Sequence, residues 1–183
     1  MANITIGDEA IPFTLPGVDG RLHSLVDYGD RKALAVIFIA NHCPYVQAWE
    51  DRLIALQAEF AGQGVQFLAI GSNDANQQPG DGFEAMRERA EEKGYTFPYL
   101  HDSKQEVATA YGATHTPEVF LFSPGDILRY HGAVDDNHAD PEQVQFHYLR
   151  DAIAAVLANE RPPVEETELV GCTIKWLPAE AEQ

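Results

Sequence analysis

The sequence predicts an α/β domain: a mixed central β-sheet flanked by helices, with an N-terminal β-hairpin and a C-terminal tail. Three observations predict it. The continuous apolar run Ala33–Ala40 is followed by an amphipathic stripe and then by a second apolar run, Val65–Ile70. Apolar strands separated by a helix are the pattern of parallel βαβ units, buried on both faces. Two later strand-like runs, residues 118–122 and 127–131, are joined by Ser123-Pro124-Gly125-Asp126, which suits a type II turn and an antiparallel pair.

The elements follow in order. Residues 11–29 read as a hairpin around the turn dipeptide Asp19-Gly20. After the first buried strand, Val46, Trp49, Leu53, Leu56 and Phe60 recur at spacings of three and four, giving a helix with one apolar stripe. Gly62 and Gly64 end it. Residues 71–82, rich in Gly, Asn and Gln, form a loop, and a helix runs from about Asp81 to Lys93, with Gly94 as its stop. Pro98 limits residues 97–100 to a short edge strand. Ser103-Lys104-Gln105-Glu106 reads as a capping box opening a short helix that Gly112 closes. The last helix is expected from Asp140-Pro141-Glu142-Gln143, with Asp140 as N-cap, to about Ala158. Residues 1–159 form the domain and residues 160–183 an acidic tail that carries Cys172.

The 183 residues suffice for one domain with a full core. The formal charge of -17 disfavours nucleic acid and anionic membrane surfaces, both of which are bound through Lys and Arg. No apolar run has the length of a membrane span, and the N-terminus lacks the basic and apolar regions of a signal peptide, so the expected location is the cytoplasm.

Only two cysteines are present, Cys43 and Cys172, and no Cys-x-x-Cys. Cys43 falls directly after the first buried strand and directly before the amphipathic helix, with Pro44 at its first position. A cysteine so placed faces unpaired helix N–H groups and the positive end of the helix dipole, which favour a thiolate. A thiolate near neutral pH is what a redox nucleophile requires. His42 adjoins it. Thr116-Pro117 precedes a later strand, and its isomer is not set by the sequence.

The strand Ala33–Ala40, the run Asn41-His42-Cys43-Pro44-Tyr45-Val46, and Thr116-Pro117-Glu118 together resemble the thioredoxin-like superfamily. More closely, the chain resembles a peroxiredoxin-like subgroup of the AhpC/TSA and redoxin type, whose members pair a HCPYV cysteine with a C-terminal GC-x-IKW, here Gly171–Trp176. The resemblance covers nearly the whole chain. It implies a thioredoxin-like fold, a cis Thr116-Pro117 bond beside the nucleophilic sulfur, and a backbone edge there that pairs with extended substrate. Asn41, His42, Pro44, Thr116 and Pro117 are the substrate-positioning candidates. Two departures stand out. Val46 occupies the place of the thioredoxin resolving cysteine, and Ala40 the place of the threonine that orients peroxide in peroxiredoxins.

Cys172 lies 129 residues beyond Cys43, but the 13 residues from Asn159 can span up to roughly 45 Å. Ile174 and Trp176 beside it imply a tail that docks. Two roles are open: Cys172 resolves an intermediate on Cys43, or it is a docked structural residue and an outside thiol does so. A permanent bridge is disfavoured in the cytoplasm.

The expected function is thiol–disulfide oxidoreduction through Cys43, with no metal or organic cofactor. Its partners are protein or small-molecule thiols and disulfides and a reducing thiol donor. The alternatives are a thiol peroxidase with antioxidant activity and a non-catalytic binding domain. Asp135–Asp140 lacks EF-hand spacing, and no phosphate-binding glycine loop or His-x-x-x-His pair is present.

Overall fold

The computed structural model describes residues 2–180; Met1 and the last three residues of the tail lie outside the described residues. Five strands form the central sheet: β3 (Ala33–Ile39), β4 (Val65–Gly71), β5 (Tyr99–His101), β7 (Glu118–Ser123) and β8 (Ile127–Gly132), in the order β5-β4-β3-β7-β8. β3, β4 and β5 run parallel, whereas β7 is antiparallel to both of its neighbours, β3 and β8, with a bulge at Leu121/Phe122. The mixed α/β architecture matches the expectation. The hairpin strands β1 (Thr14–Pro16) and β2 (Leu22–Ser24) pair with each other, and β6 (His115–Thr116) pairs with β9 (Cys172–Thr173).

β3 is buried along its whole length because both faces of the sheet are covered. Ala35, Ile37 and Ile39 point into one core with Trp49, Leu53 and Phe60 of α1 (Pro44–Phe60), Met86 of α2 (Phe83–Lys93), and Leu149 and Ile153 of α4 (Tyr148–Leu157). Leu34, Val36 and Phe38 point into the other, with Val107 and Tyr111 of α3 (Glu106–Tyr111), Leu15 of the hairpin and Phe13 just before it, and Ile174 from the tail. The tail thus contributes to a core.

Three local expectations are corrected. The last helix begins at Tyr148; Asp140 caps only a single 3-10 turn, Pro141–Gln143, by accepting from Glu142 N. The intervening chain is held extended because Asp136 accepts from Gln145 N while its own N–H donates to the Phe146 carbonyl. Ser103 does not open α3: Gln105 precedes the helix at φ 60°, and Asp102 accepts from Val107 N and Ala108 N. α2 begins at Phe83 after a separate 3-10 turn, Pro79–Asp81, which releases Asp81 for the neighbourhood of Cys43.

Candidate active site

The buried strand β3 ends where its backbone meets the start of α1, and this junction fixes Cys43. The residue is the N-cap of α1, its carbonyl accepts from Gln47 N at 3.0 Å, and its side chain is fully buried. Pro44 takes the first helical position, where its missing N–H costs no helix hydrogen bond. The positive end of α1 therefore lies at the sulfur.

Across from it runs β6. Thr116-Pro117 is cis, and the Thr116 carbonyl lies 3.3 Å from Cys43 Sγ, within reach of the thiol S–H. Glu118, immediately after Pro117, pins this segment from beneath. Its carboxylate accepts from Thr114 N (2.8 Å) and His115 N (3.0 Å), and its other oxygen meets His131 Nε2 at 2.7 Å. A fully buried carboxylate is tolerated because both oxygens are partnered.

β9 lies antiparallel against β6, with Thr116 opposite Cys172. The two sulfurs are 2.8 Å apart, although 129 residues separate them in the chain. Burial, and next the neighbouring Cys43 sulfur, push the Cys172 thiol up from 9.0 to about 11; the Tyr45 backbone N–H directed at Cys172 opposes this. Cys172 therefore holds its proton at neutral pH. Both cysteines are free thiols in this structure.

The segment around Cys172 is held by backbone and amide hydrogen bonds. Ile174 N donates to Thr114 O at 3.0 Å. Lys175 N donates to Asn73 Oδ1 (2.9 Å), and the Lys175 carbonyl accepts from Asp74 N and Gln105 Nε2, both at 2.8 Å. Gln105 also accepts from Leu177 N at 2.8 Å. Gly171 allows the close approach: a Cβ there would stand 2.1 Å from the Thr116 carbonyl oxygen.

Of the candidates from sequence, Cys43, Pro44, Thr116, Pro117 and Cys172 come together around the sulfur pair. Asn41 and His42 turn elsewhere. Asn41 donates to the Gly80 carbonyl (2.9 Å) and accepts from Tyr99 OH (2.9 Å), so its amide ties down the 71–82 loop. His42 meets Asp81 through both its backbone N–H and ring Nδ1, and Asn73 donates to the same carboxylate. Sequence reasoning missed Asn73, Asp81, Gln105 and Glu118. Glu118 carried a signal, a lone charge at the start of an apolar strand; the others lay in segments read as loop or helix start.

A thioredoxin-like fold, with a helix-capping cysteine facing a cis-proline segment, defines a thioredoxin-like redox protein. The chain belongs to the AhpC/TSA family, which matches residues 6–131. It is 29% identical over 134 residues to a candidate peroxiredoxin of Mycobacterium tuberculosis, covering 73% of this chain and 80% of that one. It is 28% identical to the thiol-disulfide oxidoreductase ResA of Geobacillus thermodenitrificans, covering 64% of this chain and 63% of that one. An uncharacterised protein of Sinorhizobium meliloti shares the structure at a TM-score of 0.91, with 39% identity over 97% of this chain and 98% of its own.

Proposed function

We propose that the protein is a two-cysteine thiol–disulfide oxidoreductase in which Cys43 is the nucleophile and Cys172 the resolving thiol. The observation that carries this reading is the 2.8 Å approach of the two sulfurs at the start of α1. The Cys43 thiolate attacks one sulfur of a substrate disulfide, forming a mixed disulfide and releasing the first substrate thiolate. Cys172, after losing its proton, attacks the Cys43 sulfur, closes the Cys43–Cys172 disulfide and releases the second. A thiol donor then returns two electrons. Pro44 starts the helix whose positive end lies at the Cys43 sulfur, and Thr116 and Pro117 form the wall against which substrate lies. Asn41 and His42 act as positioning residues by fixing the loop beside Cys43.

With the tail docked, Cys43 is fully buried and the edge of β6 is occupied by β9. Substrate therefore enters when residues 171–177 lift away, a local opening of a segment held mainly by hydrogen bonds. This separates the chain functionally into the domain, residues 1–159, and a mobile arm within residues 160–183. The requirement for free thiols suits a reducing compartment such as the cytoplasm. No helix among the described residues is long and apolar enough to cross a membrane.

Family membership favours a second reading, in which the oxidant is a peroxide and the activity antioxidant. Cys43 would then be oxidised to a sulfenic acid with reduction of the peroxide, and Cys172 would condense with it, releasing water. Ala40 offers no hydroxyl to orient such a substrate. Parallel assays with a low-molecular-weight disulfide and with hydrogen peroxide separate the two. Turnover of the disulfide that is lost in Cys43→Ser supports the first reading. Turnover that persists in that variant sinks both.

A further inference from the structure

A groove of about 710 Å³ runs beside the sulfur pair, between the tail and the loop after β8. Its floor is aromatic and apolar: Trp49, Tyr148, half-exposed Phe146 and Val170. Phe146 and Tyr148 stack with their ring centroids 5.9 Å apart. Asp136, Glu166 and Glu168 line it, and no Lys or Arg does. Asp135, which also lines it, is already paired with Arg52 at 2.8 Å and accepts from the Trp49 indole N–H. The groove adjoins the reactive end of α1 through His138, whose ring lies 4.7 Å from that of Tyr45, two residues after Cys43.

We propose that this groove docks the reducing partner, a protein dithiol whose reactive thiol is flanked by a basic and apolar segment. The proposal rests on the two-cysteine cycle above. Charge complementarity sets the sign of the partner, and the aromatic floor sets its apolar character. Geometry decides between donor and oxidised substrate. One wall, Glu166–Val170, belongs to the tail and leads directly to Gly171 and Cys172. The middle of that wall is fixed to β8 by Thr167, whose N–H donates to the His131 carbonyl and whose hydroxyl accepts from Ala133 N, so only its Val170 end moves with residues 171–177. Oxidised substrate needs Cys43 uncovered and so meets a groove without its Val170 end, the end that leads to Cys172. The donor needs the Cys43–Cys172 disulfide and so meets the finished groove.

The donor thiolate attacks Cys172 Sγ, the less buried sulfur, and the S–S bond to Cys43 breaks with Cys43 leaving as thiolate. The second donor thiol attacks the mixed disulfide at the donor sulfur. The donor leaves as its own disulfide and Cys172 takes back a proton. Two electrons pass from the donor dithiol to the protein.

Two synthetic dithiol peptides test this, identical except that Lys residues flanking the Cys-x-x-Cys of one are Glu in the other. The full chain is oxidised with diamide, the Cys43–Cys172 disulfide is verified by peptide mapping, and its reduction by each peptide is timed. The cationic peptide should be faster by about tenfold or more at low salt. In Glu166→Lys with Glu168→Lys the ratio of the two rates should fall severalfold. Asp30→Lys with Glu88→Lys alters net charge equally; Glu88 lies on α2, which packs at the β5 edge of the sheet, opposite the groove. That control should keep most of the ratio. Equal losses in both double variants overturn the groove and leave only net charge. A disulfide that forms and opens with dithiothreitol but shows no peptide preference overturns the groove and leaves the cycle standing. Absence of the disulfide overturns both.

Discussion

Cys43 and Cys172 touch, yet they are held by opposite means. Cys43 sits at the end of a fully buried strand, capping a 17-residue helix whose apolar stripe fills one core. Cys172 sits on a two-residue strand whose neighbours are fastened by amide groups of Asn73 and Gln105 and by one buried side chain, Ile174. Moving the first would require unfolding the sheet. Moving the second requires breaking a handful of hydrogen bonds, each with a net value of about 0.5–1.5 kcal/mol, and exposing one apolar side chain, Ile174. The difference assigns the roles: a nucleophile fixed in a pre-arranged field, and a partner thiol able to leave and return.

The strongest way to break this contrast is to remove each sulfur in turn. Cys43→Ser should lower turnover of a disulfide substrate by about 10³-fold or more, since it removes the sulfur that the mixed disulfide is built on. Cys172→Ser should allow the first attack and then stall, so that mass spectrometry of the reaction finds substrate attached to Cys43. Equal, mild losses in both variants would erase the distinction.

A next, smaller effect is expected from Gly171→Val. The new side chain meets the Thr116 backbone, which cannot move aside while Glu118 grips Thr114 and His115. The arm should be expelled, with faster alkylation of Cys172 and faster tryptic cleavage after Lys175, while the melting temperature of the domain changes little. Gln105→Ala should act in the same direction more gently. It removes two hydrogen bonds to the arm and one to the Ser72 carbonyl, and should loosen docking by about 1–3 kcal/mol. Hydrogen exchange at Leu177 N reads the change, and amides of β3 should not respond.

The most gradual handle is pH. Burial and Cys43 raise the Cys172 thiol from 9.0 to about 11, so the docked arm prefers the protonated thiol. That stabilisation is complete below pH 9 and is lost as pH rises through about 11. Cys172 alkylation in the reduced protein, corrected for thiolate fraction in the free peptide, should show arm release increasing across that window. The partly exposed Trp176 gives an independent fluorescence readout, which in Cys172→Ser should lack this dependence.

The same contrast explains what the sequence reveals. β3, α1, β4 and the β7–β8 pair are legible because apolar periodicity and burial coincide there. Cys43 is legible because a strand end, a cysteine and a proline stand in immediate succession. The arm is half legible: Ile174 and Trp176 imply docking, and chain length permits reach, but its partners are single polar side chains from distant loops. Asn73 and Gln105 carry no periodic signal, and Gln105 takes up its role only because the chain there adopts φ 60°. Asp81 was hidden by its resemblance to an ordinary helix start.

The central claim is that the two thiols form a reversible pair. The direct measurement is peptide disulfide mapping by mass spectrometry after mild diamide or peroxide treatment, with free thiols alkylated before digestion. The account predicts a Cys43–Cys172 disulfide that appears on oxidation and opens with dithiothreitol or thioredoxin. Recovery of both cysteines as alkylated thiols under conditions that oxidise exposed thiols would contradict it, and Cys172 would then have no part in the chemistry.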